Sequence, residues 1–185
     1  TAVMALHLVQ KETGKDHNPL IQNGLQWLSE NANEDGGWGD TVKSLSNIST
    51  TTLCWAVFHT IPNAKIKHEK TIQAANAWLT EAAGGTSREK LAPAIIRRYG
   101  KDRTFSVPIL THCALAGKAN WSDVIPFPFE LAALPRTWFA AMQLPVVSYA
   151  IPALVAIGQA KSTDRVRCRP VVGPLEEVLE DNRTA

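Results

Sequence analysis

An internal repeat constrains this chain more than anything else in it. Displaced by 51 residues without gaps, Thr1, Ala5, His17, Ile21, Gln22, Trp27, Leu28 and Glu30 fall on Thr52, Ala56, His68, Ile72, Gln73, Trp78, Leu79 and Glu81. Those eight identities in thirty positions compare with about two expected by chance, and they cluster: the string Ile-Gln, four residues, Trp-Leu, one residue, Glu occurs twice. Ser29/Thr80 and Gly24/Ala75 are conservative neighbours. A repeat of this length cannot bury its own apolar face and has to stack on a neighbour.

Each copy reads as two helices. In the first, "TAVMALHLVQ" precedes a polar loop "KETGKDHN", and Pro19 opens a second helix, because proline suits a first turn whose N–H would be unsatisfied anyway. Leu20, Gly24, Trp27 and Leu28 recur there at helical spacing and predict its apolar face. In the second copy, Ser46-Asn47-Ile48-Ser49 offers N-caps to "TTLCWAVFHTI", and "HEKTIQAANAWLTEAA" stops at Gly84-Gly85. Between the copies lies "NEDGGWGDT", residues 33–41. Gly36 and Gly37 are expected to reverse the chain, and Trp38 to fold back on the preceding helix end. The turn is expected to be a structural staple between repeats. The fold class that follows is all-α, built from stacked helical hairpins with a repeat of approximately 51 residues.

Composition narrows the function classes. A formal net charge of +2 is too small to argue for a nucleic-acid partner. Arg97, Arg98, Lys101 and Arg103, and again Arg165, Arg167 and Arg169, read as solvated faces or linkers in preference to a phosphate or lipid-headgroup site. Cys54, Cys113 and Cys168 are odd in number and widely spaced, which implies no disulfide framework and favours a reducing compartment. No signal peptide is expected, and no uninterrupted apolar run of about 18–20 residues occurs in these residues. "LPVVSYAIPALVAIGQA" comes nearest, but its prolines, Ser148 and short length predict a buried helix. The chain opens on Thr1, already helix-like, so it is expected to be a piece of a longer one. From Lys161 to Ala185 the composition turns charged, with Pro170 and Pro174, and reads as a linker or the start of a next domain after a domain spanning 1–160.

Gly24, Trp27-Leu28, Ala32 and then Glu34-Asp35-Gly36-Gly37-Trp38 resemble the QW motif of squalene-hopene cyclases and their relatives, the class II triterpene cyclases. The family's glutamine falls at Ala32, so its Gln–Trp stacking is absent and Trp38 needs another face. Arg103-Thr104-Phe105, Trp121, Phe127-Pro128-Phe129-Glu130 and Ser148-Tyr149-Ala150 are similar, in order, to later elements of the same domain. "TSREKLAPAIIRRYG" looks longer than the equivalent stretch of the best-known bacterial cyclases.

The resemblance, over about residues 1–160, implies a partial α/α-barrel (toroid) forming the N-terminal portion of such a cyclase. It implies a polyprenyl hydrocarbon such as squalene as substrate, no cofactor, and a second α/α-barrel domain that closes the cavity. It also implies a cytoplasmic protein peripheral on the inner face of the cell membrane. The initiating acid of the family is the middle aspartate of an Asp-x-Asp-Asp motif. This chain has only Asp16, Asp35, Asp40, Asp102, Asp123, Asp164 and Asp181, no two within three residues. No catalytic residue is therefore expected here, and the chain alone is expected to be inactive.

By position Tyr149 matches a cavity aromatic of the family, usually tryptophan; a plain core role weighs equally. Trp138 and Phe139 could face cavity, lipid or core, with core favoured. Phe127 and Phe129 could rim a membrane entrance, but a loop plugging the barrel end is favoured. His7, His17, His59, His68 and His112 show no ligand spacing, so no metal site is expected. His112 and Cys113 are helix neighbours whose side chains diverge by about 100°, unlike a nucleophile–base couple. Two other readings stay open: a non-catalytic helical-repeat binding module, and a prenyltransferase β-subunit-like barrel, which requires zinc.

Overall fold

The structure, a computed structural model, describes residues 1–125, Trp138 and 151–168. The helices whose bounds are described are α1 Ala2–Thr13, α2 Asn18–Glu30, α3 Ile48–Thr60, α4 Ala64–Lys67, α5 Glu69–Ala83, α6 Arg88–Tyr99, α7 Arg103–Leu115 and α8 Ile151–Cys168. No strand occurs among the described residues, so they are all-helical.

The stop and start signals act where their chemistry places them. Gly14 ends α1 and Gly84 ends α5 in the left-handed conformation that costs glycine least. Pro19 lies in the first turn of α2. Asn47 caps α3 by accepting from the Thr50 N–H at 2.9 Å, and Asp102 caps α7 by accepting from the Thr104 N–H at 2.8 Å. One short element was not foreseen: α4 interrupts the link between α3 and α5, entered through Asn63 at φ 62°.

α3 is the central element. It packs against α1, α5, α6 and α7, and Thr51, Thr52, Trp55, Ala56, Val57 and Phe58 are buried all around it. Two apolar cores meet along it. The first joins α1, α2, α3 and α5 through Met4, Ile21, Leu25, Phe58, Ile72 and Leu79. The second joins α6, α7 and α8 through Ile95, Val107, Leu110, Cys113 and Leu154, with Val124 beneath the loop after α7. Lys161 of α8 donates to the Val124 carbonyl, tying that helix to the loop.

The expected apolar face of α2 needs correction. Leu20 and Trp27 are exposed at 58% and 53%, whereas Ile21 and Leu25 are buried. Gly24 and Leu28 keep their inward places beside them, so the stripe is turned by less than the 100° of one residue. Close helix packing selects it: a Cβ on Gly24 would come 2.5 Å from a Val3 methyl, so α1 lies against the bare backbone of α2. α8 runs through the composition change at residues 160 and 161 as far as Cys168, while 169–185 lie outside the described residues.

Candidate functional site

The residues singled out in the sequence gather at the link from α2 to α3. Trp38 is buried there; its indole stacks on Phe58 of α3, centroids 6.1 Å apart at 29°, and its Nε1–H donates to the Leu28 carbonyl at 2.9 Å. Phe58 thus supplies the face on which Trp38 stacks. The Trp38 N–H donates to Thr51 Oγ1 at 2.9 Å, and the Trp38 carbonyl accepts from the Asn47 N–H at 3.0 Å. The link is pinned to the first turn of α3.

Around this indole runs a polar clamp. Asp35 Oδ1 accepts from Ser46 Oγ at 2.7 Å and from the Gly37 N–H at 3.0 Å, while Oδ2 accepts from Trp78 Nε1 of α5 at 3.0 Å. Asn33 donates to the Ser44 carbonyl and to Ser46 Oγ. Burial pushes the Asp35 carboxyl up, but hydrogen bonds from Ser46, Gly37, Trp78 and its own backbone together outweigh it and hold the group below its ordinary 3.8. Gly36, at φ 86°, lies so close to α5 that a Cβ would come 2.8 Å from the Ala74 backbone. A Cβ on Gly37 would meet the Ser46 side chain at 2.6 Å. Ser29 and Thr71 share a hydrogen bond of 2.6 Å, joining α2 to α5 directly.

Leu28, Gly36, Gly37 and Trp38 therefore meet in one packing assembly, whereas Gly24 packs on Val3 of α1 and Trp27 stands outside it. Asp35 and Trp78 complete the assembly and were not singled out as partners; the recurrence of Trp27 as Trp78 was the one signal that could have pointed to the second. Trp138 is helical and 58% exposed. Phe127, Phe129, Phe139 and Tyr149 lie outside the described residues.

Hollows accompany the frame. One of about 510 Å³ lies between α1, α2 and the α3–α4 link, lined by His7, Gln10, Gln22, Ile61 and Asn63 among others. Another of about 350 Å³ lies by α6 and α7, with Ile96, Val107, Leu110 and Ile125 forming apolar walls beside Lys101 and Arg103.

The titratable groups inside the frame are unsuited to nucleophilic work. Burial pushes the Cys54 and Cys113 thiols up to about 12, so neither is a thiolate near neutrality. Burial lowers His112 to about 4; its Nε2 lies 3.2 Å from the Leu53 carbonyl, a contact that fits the neutral ring donating from Nε2. His59 is lowered to about 4, by burial first and then by Lys118 and Lys65. No group of three or more His, Cys, Asp or Glu able to hold a metal ion occurs among the described residues. Nor does any described helix have the length and apolarity to cross a membrane.

Compared with protein-family models, curated proteins and solved structures, the chain finds no match.

Proposed function

We propose that this chain is the N-terminal portion of a squalene-hopene-type class II terpene cyclase, part of an α/α-barrel with a repeat of about 51 residues. In this reading it contributes cavity wall and inter-domain surface, and a second barrel domain brings the aspartic acid that protonates the polyprene. The observation that carries the reading is the Asp35–Trp38 turn, which binds the last turn of one helical unit, through Leu28, to the helix of the next, through Trp78. That is the joining role the resembling motif implies. Further support comes from register: His17 and His68, equivalent across 51 residues, each occupy the position before α2 and α5. Cavity aromatics would shield and stabilise carbocations, each such contact being worth up to about 2 kcal/mol when desolvated. Docking on the inner membrane surface belongs to the same proposal, since the substrate is dissolved in lipid.

The test is turnover by the full-length protein, with squalene in detergent and products separated by gas chromatography–mass spectrometry. Cyclised hydrocarbon is expected, and it should vanish when the middle aspartate of an Asp-x-Asp-Asp outside these 185 residues becomes asparagine. A full-length protein that has no such motif and leaves squalene unchanged sinks the reading and favours a binding module.

A further inference from the structure

α5 carries on one side the residues that receive the Asp35–Trp38 turn and the end of α2. Thr71 shares its hydrogen bond with Ser29, Ala74 lies under Gly36, and Trp78 gives its N–H to Asp35 at 3.0 Å. Their spacing of three and then four residues is that of one helix face. Displaced by 51 residues, they correspond to Leu20, Asn23 and Trp27 of α2. All three are exposed, and among the described residues nothing accepts the Trp27 indole N–H. The two helices are turned alike: Ile21 is buried as Ile72 is, and Leu28 packs on the same core as Leu79. Ser29 of α2 meets α5, and Trp27, two residues before it, lies about 160° away around the helix. α2 therefore has a neighbour on one side and the Leu20–Trp27 face on the other.

A lone exposed leucine calls for no account, because single apolar side chains are scattered over ordinary surfaces. The pair on α2 differs. Leu20 and Trp27 stand seven residues apart on one side of the helix, and the outer unit of a helical stack stays soluble by turning a polar face to water. α2 turns outward the counterparts of residues that in α5 are partnered. What covers that face in α5 is on view. It is a carboxylate for the indole N–H, a glycine that lets backbone come against the helix, and a tryptophan that fastens the turn to Leu28 and Phe58.

We propose that the Leu20–Trp27 face of α2 is the docking site of a further turn of the Asp35–Trp38 kind, carried by residues that precede Thr1 in the full-length protein. Its carboxylate accepts the Trp27 N–H as Asp35 accepts that of Trp78, and its glycine passes over Asn23. Asn23, in the place of Ala74, offers a carboxamide to the backbone of that turn. Continuity fixes the occupant: the row that runs from α5 to α2 is extended by one more unit in the same direction. The inference rests on the repeat of the proposed function and not on its chemistry, so it holds for a binding module as it does for a cyclase.

The residues before Thr1 supply the first check. An aspartate or glutamate is expected about 43 residues before Trp27, the separation of Asp35 from Trp78, with glycine next to it and tryptophan three residues after it. The second check uses the full-length protein with isotope-labelled tryptophan, the indole N–H signals being assigned by NMR through Trp27→Phe and Trp78→Phe. Both N–H groups should exchange slowly with solvent. Replacing the upstream acidic residue by alanine should speed exchange at Trp27 about fivefold or more, as loss of a hydrogen bond requires, and leave Trp78 as it was. Asp35→Ala should do the reverse, and that crossed pattern separates a lost contact from lost folding. The proposal fails if no such turn precedes Thr1, or if Trp27 exchanges as fast as a free indole. It fails too if the protection of Trp27 falls on dilution, which marks a second copy of the chain as the cover. Squalene turnover with Trp27 unprotected sinks this inference and leaves the cyclase reading standing; a protected Trp27 without turnover does the opposite.

Discussion

Trp27 and Trp78 occupy the same place in the two repeats, yet they live differently. Trp78, on α5, is half-buried and gives its N–H to Asp35 of the incoming turn. Trp27, on α2, is 53% exposed. The helices themselves are alike, each begun after a histidine and each ending on the Trp-Leu pair in its last turns. What separates the two tryptophans is the turn that reaches α5 and has no counterpart over α2 among the described residues. Likeness of sequence across 51 residues therefore accompanies a like helix, while the environment of a given side chain is specified by the neighbour that packs on it.

Four substitution or titration experiments would break or sharpen that contrast. The largest effect belongs to Trp38, the indole between the two helices. Trp38→Ala should cost about 3–5 kcal/mol of unfolding free energy by urea titration, since it empties a buried site against Phe58. A loss below about 1 kcal/mol would mean that the turn does not hold the units together. Next comes Gly36→Val, which forces a β-branched residue to φ 86° against the Ala74 backbone; a loss of at least about 2 kcal/mol is expected in the same titration. If Gly36→Val were neutral, the close approach of the turn to α5 would be wrong.

Acidity is the third lever. The Asp35 carboxyl is held below its unfolded value of 3.8, so its contribution is complete above that value and disappears as pH falls through the lower folded value. His59 and His112 act at higher pH. Both are depressed from 6.5 to about 4, so the unfolded chain binds more protons between those values, and stability should decline as pH falls from 6.5 towards 4. Thermal melts from pH 7.5 downward should show the histidine phase first, flattened in His112→Gln, and the Asp35 phase below it, removed in Asp35→Asn. A melting temperature constant from pH 6.5 to 4 would contradict the burial of the histidines. The smallest effect is the most direct comparison: Trp78→Phe should cost about 1 kcal/mol through the bond to Asp35, and Trp27→Phe no more than about 0.5 kcal/mol.

Local chemistry was legible in the sequence wherever a signal and its effect lie within a few residues. Pro19, Asn47, Gly84 and the reversal at Gly36 all act within one turn of themselves. The face of α2 was misread at Leu20 and Trp27 because they recur at helical spacing as Ile21 and Leu25 also do, and spacing alone does not say which side chains meet a neighbour. Gly24 decided that, by admitting Val3. The Asp35–Trp78 bond spans 43 residues and exists only once α5 has packed, so no window of sequence contains it.

The two buried thiols carry a further consequence. Cys54 belongs to the first core and Cys113 to the second, and neither can be alkylated while its core is closed. Each is a built-in clock for the opening of its own half of the molecule. Their labelling rates, followed by mass spectrometry, would read whether the cores on the two sides of α3 breathe as one body or as two.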